Sequence, residues 1–229
     1  MSHRLTICAC RSRGFISSQQ VARLAAMAEA EGYVVEVVAD FCQLCEEDSP
    51  ALAQIGDTLA ACHPRAVTSL LKWRKVDVPE IINLREGEVH QFSSVPSADA
   101  ENVWLQRVEA FPQQWGKDAW FPTIDKSQCA ECGKCLDFCP FGVYEMVEER
   151  VRVMHPYQCK NNCPACARTC PAGAIIFPKY EHSPINGGTE QEEQAVGSDP
   201  STLYADAFRQ RLQERRMAGV PLFKLKRKE

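Results

Sequence analysis

No apolar run in this chain approaches the roughly 20 residues needed to span a bilayer, so no membrane span is predicted. The opening stretch MSHRLTICACRSRG breaks its short apolar run with cysteines and arginines, unlike a signal peptide, and a cytoplasmic location is expected. A basic surface is lacking too. The chain has 26 Lys and Arg against 30 Asp and Glu, a net charge of -4, which excludes nucleic-acid binding by the body of the molecule. No G-x-G-x-x-G occurs, and no separate nucleophile–base or open-site metal motif. Cysteine, by contrast, is plentiful: 13 among 229 residues. That is below the roughly 8–10% that marks a disulfide scaffold. A reducing compartment leaves metal or cluster ligation as the expected use. Cys8, Cys10, Cys42, Cys45 and Cys62 lie near the N-terminus and the other eight between Cys129 and Cys170, so two groups of sites are implied.

The order of elements predicts an α/β chain in four parts. Residues 1–96 alternate short apolar runs with helical patterns: strands at 4–8, 33–38, 57–61 and 79–84, and helices after Ser17 and from Pro64. Ser17 and Gln20 have capping-box spacing, and Gly32 stops the first helix. Such alternation implies a small parallel sheet. Residues 97–122 read as a helical connector, with Trp104, Trp115 and Trp120 packing at a domain seam. Residues 123–180 contain a repeat and read as an α+β domain. Residues 181–229 read as an acidic linker, an amphipathic C-terminal helical arm through Leu203, Ala207, Phe208 and Leu212, and a basic tail. From residue 209 onward eight Lys or Arg stand against two Glu, a net of +6 in a chain of net -4. Such a segment reads either as a solvated tail or as an arm that lies on an acidic surface of a partner or of its own body.

The repeat carries the strongest signal. Its first unit is Cys129-x2-Cys132-x2-Cys135-x3-Cys139-Pro140, and its second is Cys159-x3-Cys163-x2-Cys166-x3-Cys170-Pro171. Corresponding cysteines are offset by 30, 31, 31 and 31, so one unit is a duplicate of the other with one residue inserted at Lys160-Asn161-Asn162. Paired zinc hooks give no reason for three cysteines in one tight run followed by Cys-Pro, twice. Val143–Met146 and Val151–Met154 read as a hairpin between the units, and Gly133 as a point of close approach.

This pattern resembles the bacterial two-cluster ferredoxin, in which the fourth cysteine of each unit ligates the cluster of the other. The resemblance implies two [4Fe-4S] clusters. Cluster one takes Cys129, Cys132, Cys135 and Cys170, and cluster two takes Cys159, Cys163, Cys166 and Cys139.

The N-terminal cysteines fall at successive strand ends, where ligand sites form in parallel sheets. Cys8 and Cys10, two apart on a strand, project to one side. Cys42 and Cys45 follow the second strand, and Cys62 the third. These five predict a third [4Fe-4S] cluster. Four suffice, so one of Cys42 and Cys45 is spare, and spacing does not choose between them. Arg11, Arg13 and Arg65 flank these positions and would offset cluster charge, while His63 reads as structural. The segments Ile7–Cys10, Phe41–Cys45 and Ala60–Arg65 resemble the N-terminal cluster-binding domain of the flavin-bearing polypeptide of heterodisulfide reductase, over about residues 4–70. That family adds a large flavin-binding portion. Here fewer than 60 residues separate Leu84 from the ferredoxin-like unit, too few for such a domain, so no flavin is expected.

With its thiols committed to clusters and no catalytic residues identified, the chain reads as an electron-transfer subunit of an oxidoreductase complex. It would relay single electrons between a donor and a redox enzyme. Expected partners are redox enzyme subunits, flavoprotein or heterodisulfide-reductase-like, and a homodimer through the arm is a further expectation. A small cluster-dependent reductase and an iron–sulfur redox sensor are the competing classes.

Overall fold

A computed structural model describes residues 3–85, 91–112 and 118–189. The expected α/β reading holds: a four-stranded parallel sheet is followed by a ferredoxin-like region of short elements. The sheet is ordered β2-β1-β3-β4, from β1 (Arg4–Cys8), β2 (Val34–Val38), β3 (Thr58–Ala61) and β4 (Glu80–Asn83). Helix α1 (Ser18–Ala30) joins the first two strands, and α3 (Pro64–Trp73) joins the last two. The Ser17 side chain accepts the Gln20 N–H and so caps α1, as its spacing predicts.

Strand alternation sorts the core into two layers. Leu5, Ile7, Ala9, Ala60 and Ile82 face α1, whereas Cys8, Leu59 and Ala61 face α3 with Val67, Leu70 and Leu71. Between β2 and β3 lies a helix that the sequence pattern did not announce, α2 (Phe41–Glu46). Six residues are too few to display a 3.6-residue period, but Asp40 caps it by accepting the Gln43 N–H at 3.1 Å.

Helix α4 (Ala98–Glu109) belongs to the N-terminal half and is not a free connector. Its Trp104 and Val108 are buried in the α1 layer, and Trp104 Nε1 donates to Glu29 at 2.8 Å. The apolar stripe of this helix thus finds its partner locally. Trp120 is buried, stacked on Phe177 at 5.3 Å, in line with a packing role at a seam. Trp115 lies outside the described residues.

The repeat region holds a two-stranded pair, β5 (Thr123–Ile124) with β8 (Ile175–Ile176), which brings its two ends together. The hairpin β6 (Tyr144–Val147) and β7 (Arg150–Val153) lies where expected. Short helices α5 (Lys134–Phe138) and α6 (Ala165–Thr169) occupy equivalent places in the two units. Gly133 enters α5 at φ +74, and a Cβ there would make only ordinary contact, so left-handed backbone, not close approach, calls for glycine.

Residues 181–188, expected to open an acidic linker, belong instead to the compact unit. Ser183 and Asn186 are buried, and Phe177 N–H bonds Ile185 O at 2.7 Å. Gly187, at φ +96, presses so closely on Ala66 that a Cβ would stand 2.9 Å from that of Ala66. The chain forms one compact unit through Gly188. The amphipathic arm and basic tail lie outside the described residues. Among those described, no helix is long and apolar enough to cross a membrane.

Candidate metal centres

In the repeat, the two units exchange their fourth cysteines in space. One cavity, of about 270 Å³, is lined by Cys159, Cys163 and Cys166 together with Cys139 from the first unit. A second is lined by Cys129, Cys132 and Cys135 together with Cys170 from the second unit. The antiparallel β5–β8 pair and the hairpin fold one unit back upon the other, so each Cys-Pro leaves its own loop and enters the opposite one. Burial pushes the Cys135 thiol up to about 11 and the Cys159 and Cys166 thiols up to about 12.

Hydrogen bonds aim at several of these sulfurs. Tyr144 Oη donates to Cys166 Sγ at 3.1 Å inside the core, and Ala174 N–H to Cys170 Sγ at 3.4 Å. Cys132 is exposed and its counterpart Cys163 half-buried, whereas Cys166 is buried.

The five N-terminal cysteines come together at the carboxyl ends of the strands. Strand order reverses at β1, since β2 lies on one side of it and β3 on the other while all four strands run parallel; ligands bind at such switch points in parallel sheets. Cys8 ends β1, Cys62 follows β3, and Cys42 and Cys45 sit three apart on one side of α2, the helix that follows β2. Cys10 arrives differently from the expectation of a strand pair. The chain leaves β1 and turns at Cys10 in left-handed backbone, φ +48, with Arg13 and Gly14 N–H closing on its carbonyl. Cys8, Cys42 and Cys45 are buried, and Phe41 N–H donates to Cys8 Sγ at 3.3 Å.

Burial, then the charges of Cys10 and Asp40, drives the Cys8 thiol well up; burial raises Cys42 likewise, against the pull of Lys179. Burial and Cys10 push Cys62 up to about 12, against the pull of Arg85. Burial also raises Cys45, against Arg74. Crowded buried thiols whose anions are suppressed suit a cationic iron centre, which deprotonates its thiol ligands.

All-thiol donor sets fit iron–sulfur clusters in each of the three places. Among the described residues, no three His, Cys, Asp or Glu side chains converge on a point that would hold one metal ion. A cubane distributes its thiolates over four irons, whereas a single tetrahedral zinc gathers them within ~2.3 Å of one atom.

The charged groups around the N-terminal thiols differ from those expected. Arg11 donates to Ser18 at 2.9 Å. Arg65 is spent on Asp125 at 2.7 Å and on Gln128 and the Gly173 carbonyl, each at 2.6 Å. Arg13 pairs with Asp118 and reaches Asn161 and Asn162 at 3.2 and 2.7 Å. Arg13 and Arg65 fasten the N-terminal half to the ferredoxin-like half, whereas Arg11 bonds within the N-terminal half. The cations whose charge acts on the thiols are Lys179 on Cys10 and Cys42, Arg85 on Cys10 and Cys62, and Arg74 on Cys45. No spacing rule links any of them to a cysteine, so the sequence offered no signal. His63 is buried ahead of α3, its Nδ1 3.4 Å from Asn83 Nδ2, in keeping with a structural role.

The short-element fold of residues 123–180 and its crossed thiol cavities are those of a ferredoxin-like iron–sulfur domain. The family described as 4Fe-4S dicluster domain matches residues 121–171. An uncharacterised ferredoxin of Methanocaldococcus jannaschii is 44% identical over 75 residues, 31% of this chain and 51% of that protein. Ferredoxin-3 of Nostoc sp. is 30% identical over 93 residues, 31% of this chain and 90% of that protein. The iron–sulfur subunit of formate dehydrogenase from Haemophilus influenzae is 38% identical over 89 residues, 37% of this chain and 27% of that protein. The chain therefore belongs to the ferredoxin family, and it spans about half the length of the Methanocaldococcus relative.

Proposed function

We propose that this chain is an iron–sulfur electron-transfer subunit that relays single electrons between a donor and a partner redox enzyme. When bound, its clusters supply one-electron oxidation and reduction. Cys129, Cys132, Cys135 and Cys170 hold one, and Cys159, Cys163, Cys166 and Cys139 the second. Cys8, Cys10 and Cys62 hold a third with one of Cys42 and Cys45. The observation that carries the reading is the exchange of Cys139 and Cys170 between the two cavities.

The protein's own residues bury the thiols, direct N–H and O–H donors at their sulfurs, and join the two halves through a polar seam. Trp73 Nε1 donates to the Val153 carbonyl and Tyr157 Oη to the Glu46 carbonyl, each at 3.1 Å, and the Arg13 and Arg65 contacts flank these. A single fastened body suits a relay, because electron transfer needs fixed separations.

Similarity to an iron–sulfur subunit of formate dehydrogenase supports a partner of the oxidoreductase class. The likeness of residues 4–70 to the N-terminal domain of the flavin-bearing polypeptide of heterodisulfide reductase supports a heterodisulfide-reductase-like partner that carries the flavin. Iron and acid-labile sulfide analysis of anaerobically prepared protein tests the reading. About 12 irons per chain are expected; about 8 removes the N-terminal cluster, and stoichiometric zinc without sulfide overturns the whole.

A further inference from the structure

We infer that Lys179, supplied by the ferredoxin half, is the positioning residue that closes the N-terminal thiol site, by tying the loop that bears Cys10 to the helix that bears Cys42 and Cys45. The inference rests on the reading that these thiols hold a third cluster.

Lys179 lies three residues beyond β8 and has a side chain only 3% exposed. Its ammonium has three protons, and each finds an acceptor in a different segment. It donates to Ser12 Oγ at 2.7 Å, to Asp40 Oδ2 at 2.7 Å, and to Asp118 Oδ1. Ser12 stands two residues after Cys10, and its hydroxyl donates in turn to Asp40 Oδ2 at 2.5 Å. Asp40 stands two residues before Cys42 and caps α2, so its placement sets the helix on which Cys42 and Cys45 ride. Asp118 also receives Arg13, which keeps the four charges balanced.

Paired charges so deeply buried are a poor way to stabilise a seam, because apolar side chains of similar volume do as well or better. A role toward the neighbouring thiols accounts for them. The ammonium fixes two cysteine-bearing segments relative to each other, and its charge offsets that of Cys10 and Cys42 as thiolates. The N-terminal site is thus completed by a residue from the far end of the folded unit, and forms only once the ferredoxin half has docked.

The test uses the full chain, prepared anaerobically. Lys179→Met is expected to lose the irons of the N-terminal cluster, falling from about 12 to about 8 per chain, or to shift that cluster's midpoint potential. The electron paramagnetic resonance signals of the two ferredoxin clusters should stay in place. Lys179→Arg, which keeps the charge, should restore the wild-type signal. A residue that only held the seam would lower thermal stability and leave the N-terminal signal unmoved. Should Lys179→Met keep about 12 irons with that signal and potential unchanged, the inference fails while the third-cluster reading stands. A wild-type content of about 8 irons removes that reading and the inference with it. If Lys179→Met does not fold, Ser12→Ala decides, since it deletes one arm of the clamp and leaves the ion pairs. An N-terminal signal identical to wild type in that variant overturns the inference.

Discussion

Duplication of the cysteine unit makes each residue comparable with one 31 positions on, and the comparison exposes an asymmetry at Tyr144. Its counterpart is Ile175, and both are buried. Tyr144 Oη donates to Cys166 Sγ at 3.1 Å, whereas Ile175 shares the cavity of Cys135, the counterpart of Cys166, and has no proton to give. A donor aimed at a ligating sulfur favours the form with more negative charge, which is the reduced cluster, and so raises its potential. Tyr144→Phe is therefore expected to lower the midpoint potential of the cluster proposed for Cys139, Cys159, Cys163 and Cys166, and to leave the other in place. The ring remains, so stability should change by only about 1 kcal/mol. A redox titration followed by paramagnetic resonance reads both potentials. Equal movement of the two, or none, refutes the asymmetry.

Among the elements, the insertion Lys160-Asn161-Asn162 shows how much was legible in the sequence and where legibility stopped. The extra residue was visible as an offset of 30 beside three of 31, but its purpose was not, because its partner Arg13 lies some 150 positions away. The loop carries Asn162 in left-handed backbone, φ +60, and offers two amide oxygens to Arg13. Deleting Asn161 restores the spacing of the first unit. The expected result is unchanged iron in the ferredoxin half and a loss of about 0.5–1.5 kcal/mol in denaturant unfolding, as these hydrogen bonds are exposed. Loss of iron would instead mean that the longer loop is needed to shape the site around Cys159. Strands, the first helix cap and the hairpin were readable because period and capping are local properties. Helix α2 was hidden by its length, and the left-handed backbone at Cys10 by a cysteine standing where such a conformation favours glycine. The seam and its cations were hidden because contacts between distant segments leave no trace in spacing.

At the scale of the whole molecule, charge is divided along the chain. The last 21 residues carry +6 while the whole carries -4, so the body before them is strongly acidic. Opposite charge at the end of an acidic linker gives an arm two destinations, its own body or an acidic surface on another protein. An apolar stripe through Leu203, Ala207, Phe208 and Leu212 needs a surface to cover in either case. Cluster binding makes no use of the arm, for every cysteine lies at or before Cys170 and the compact unit closes at Gly188. The arm is therefore expected to dock on a partner subunit, or across a homodimer. Truncation after Pro200 should leave iron content unchanged and weaken association with the enzyme that co-purifies anaerobically with the full chain. The difference between full and truncated chains should shrink as ionic strength rises to the extent that charge holds the arm, and persist to the extent that its apolar stripe does, since salt screens exposed charges beyond ~8 Å at physiological strength. Size-exclusion chromatography at two salt concentrations, with iron measured in each peak, separates the outcomes. Retained association together with lost iron would place the arm in this protein's own core.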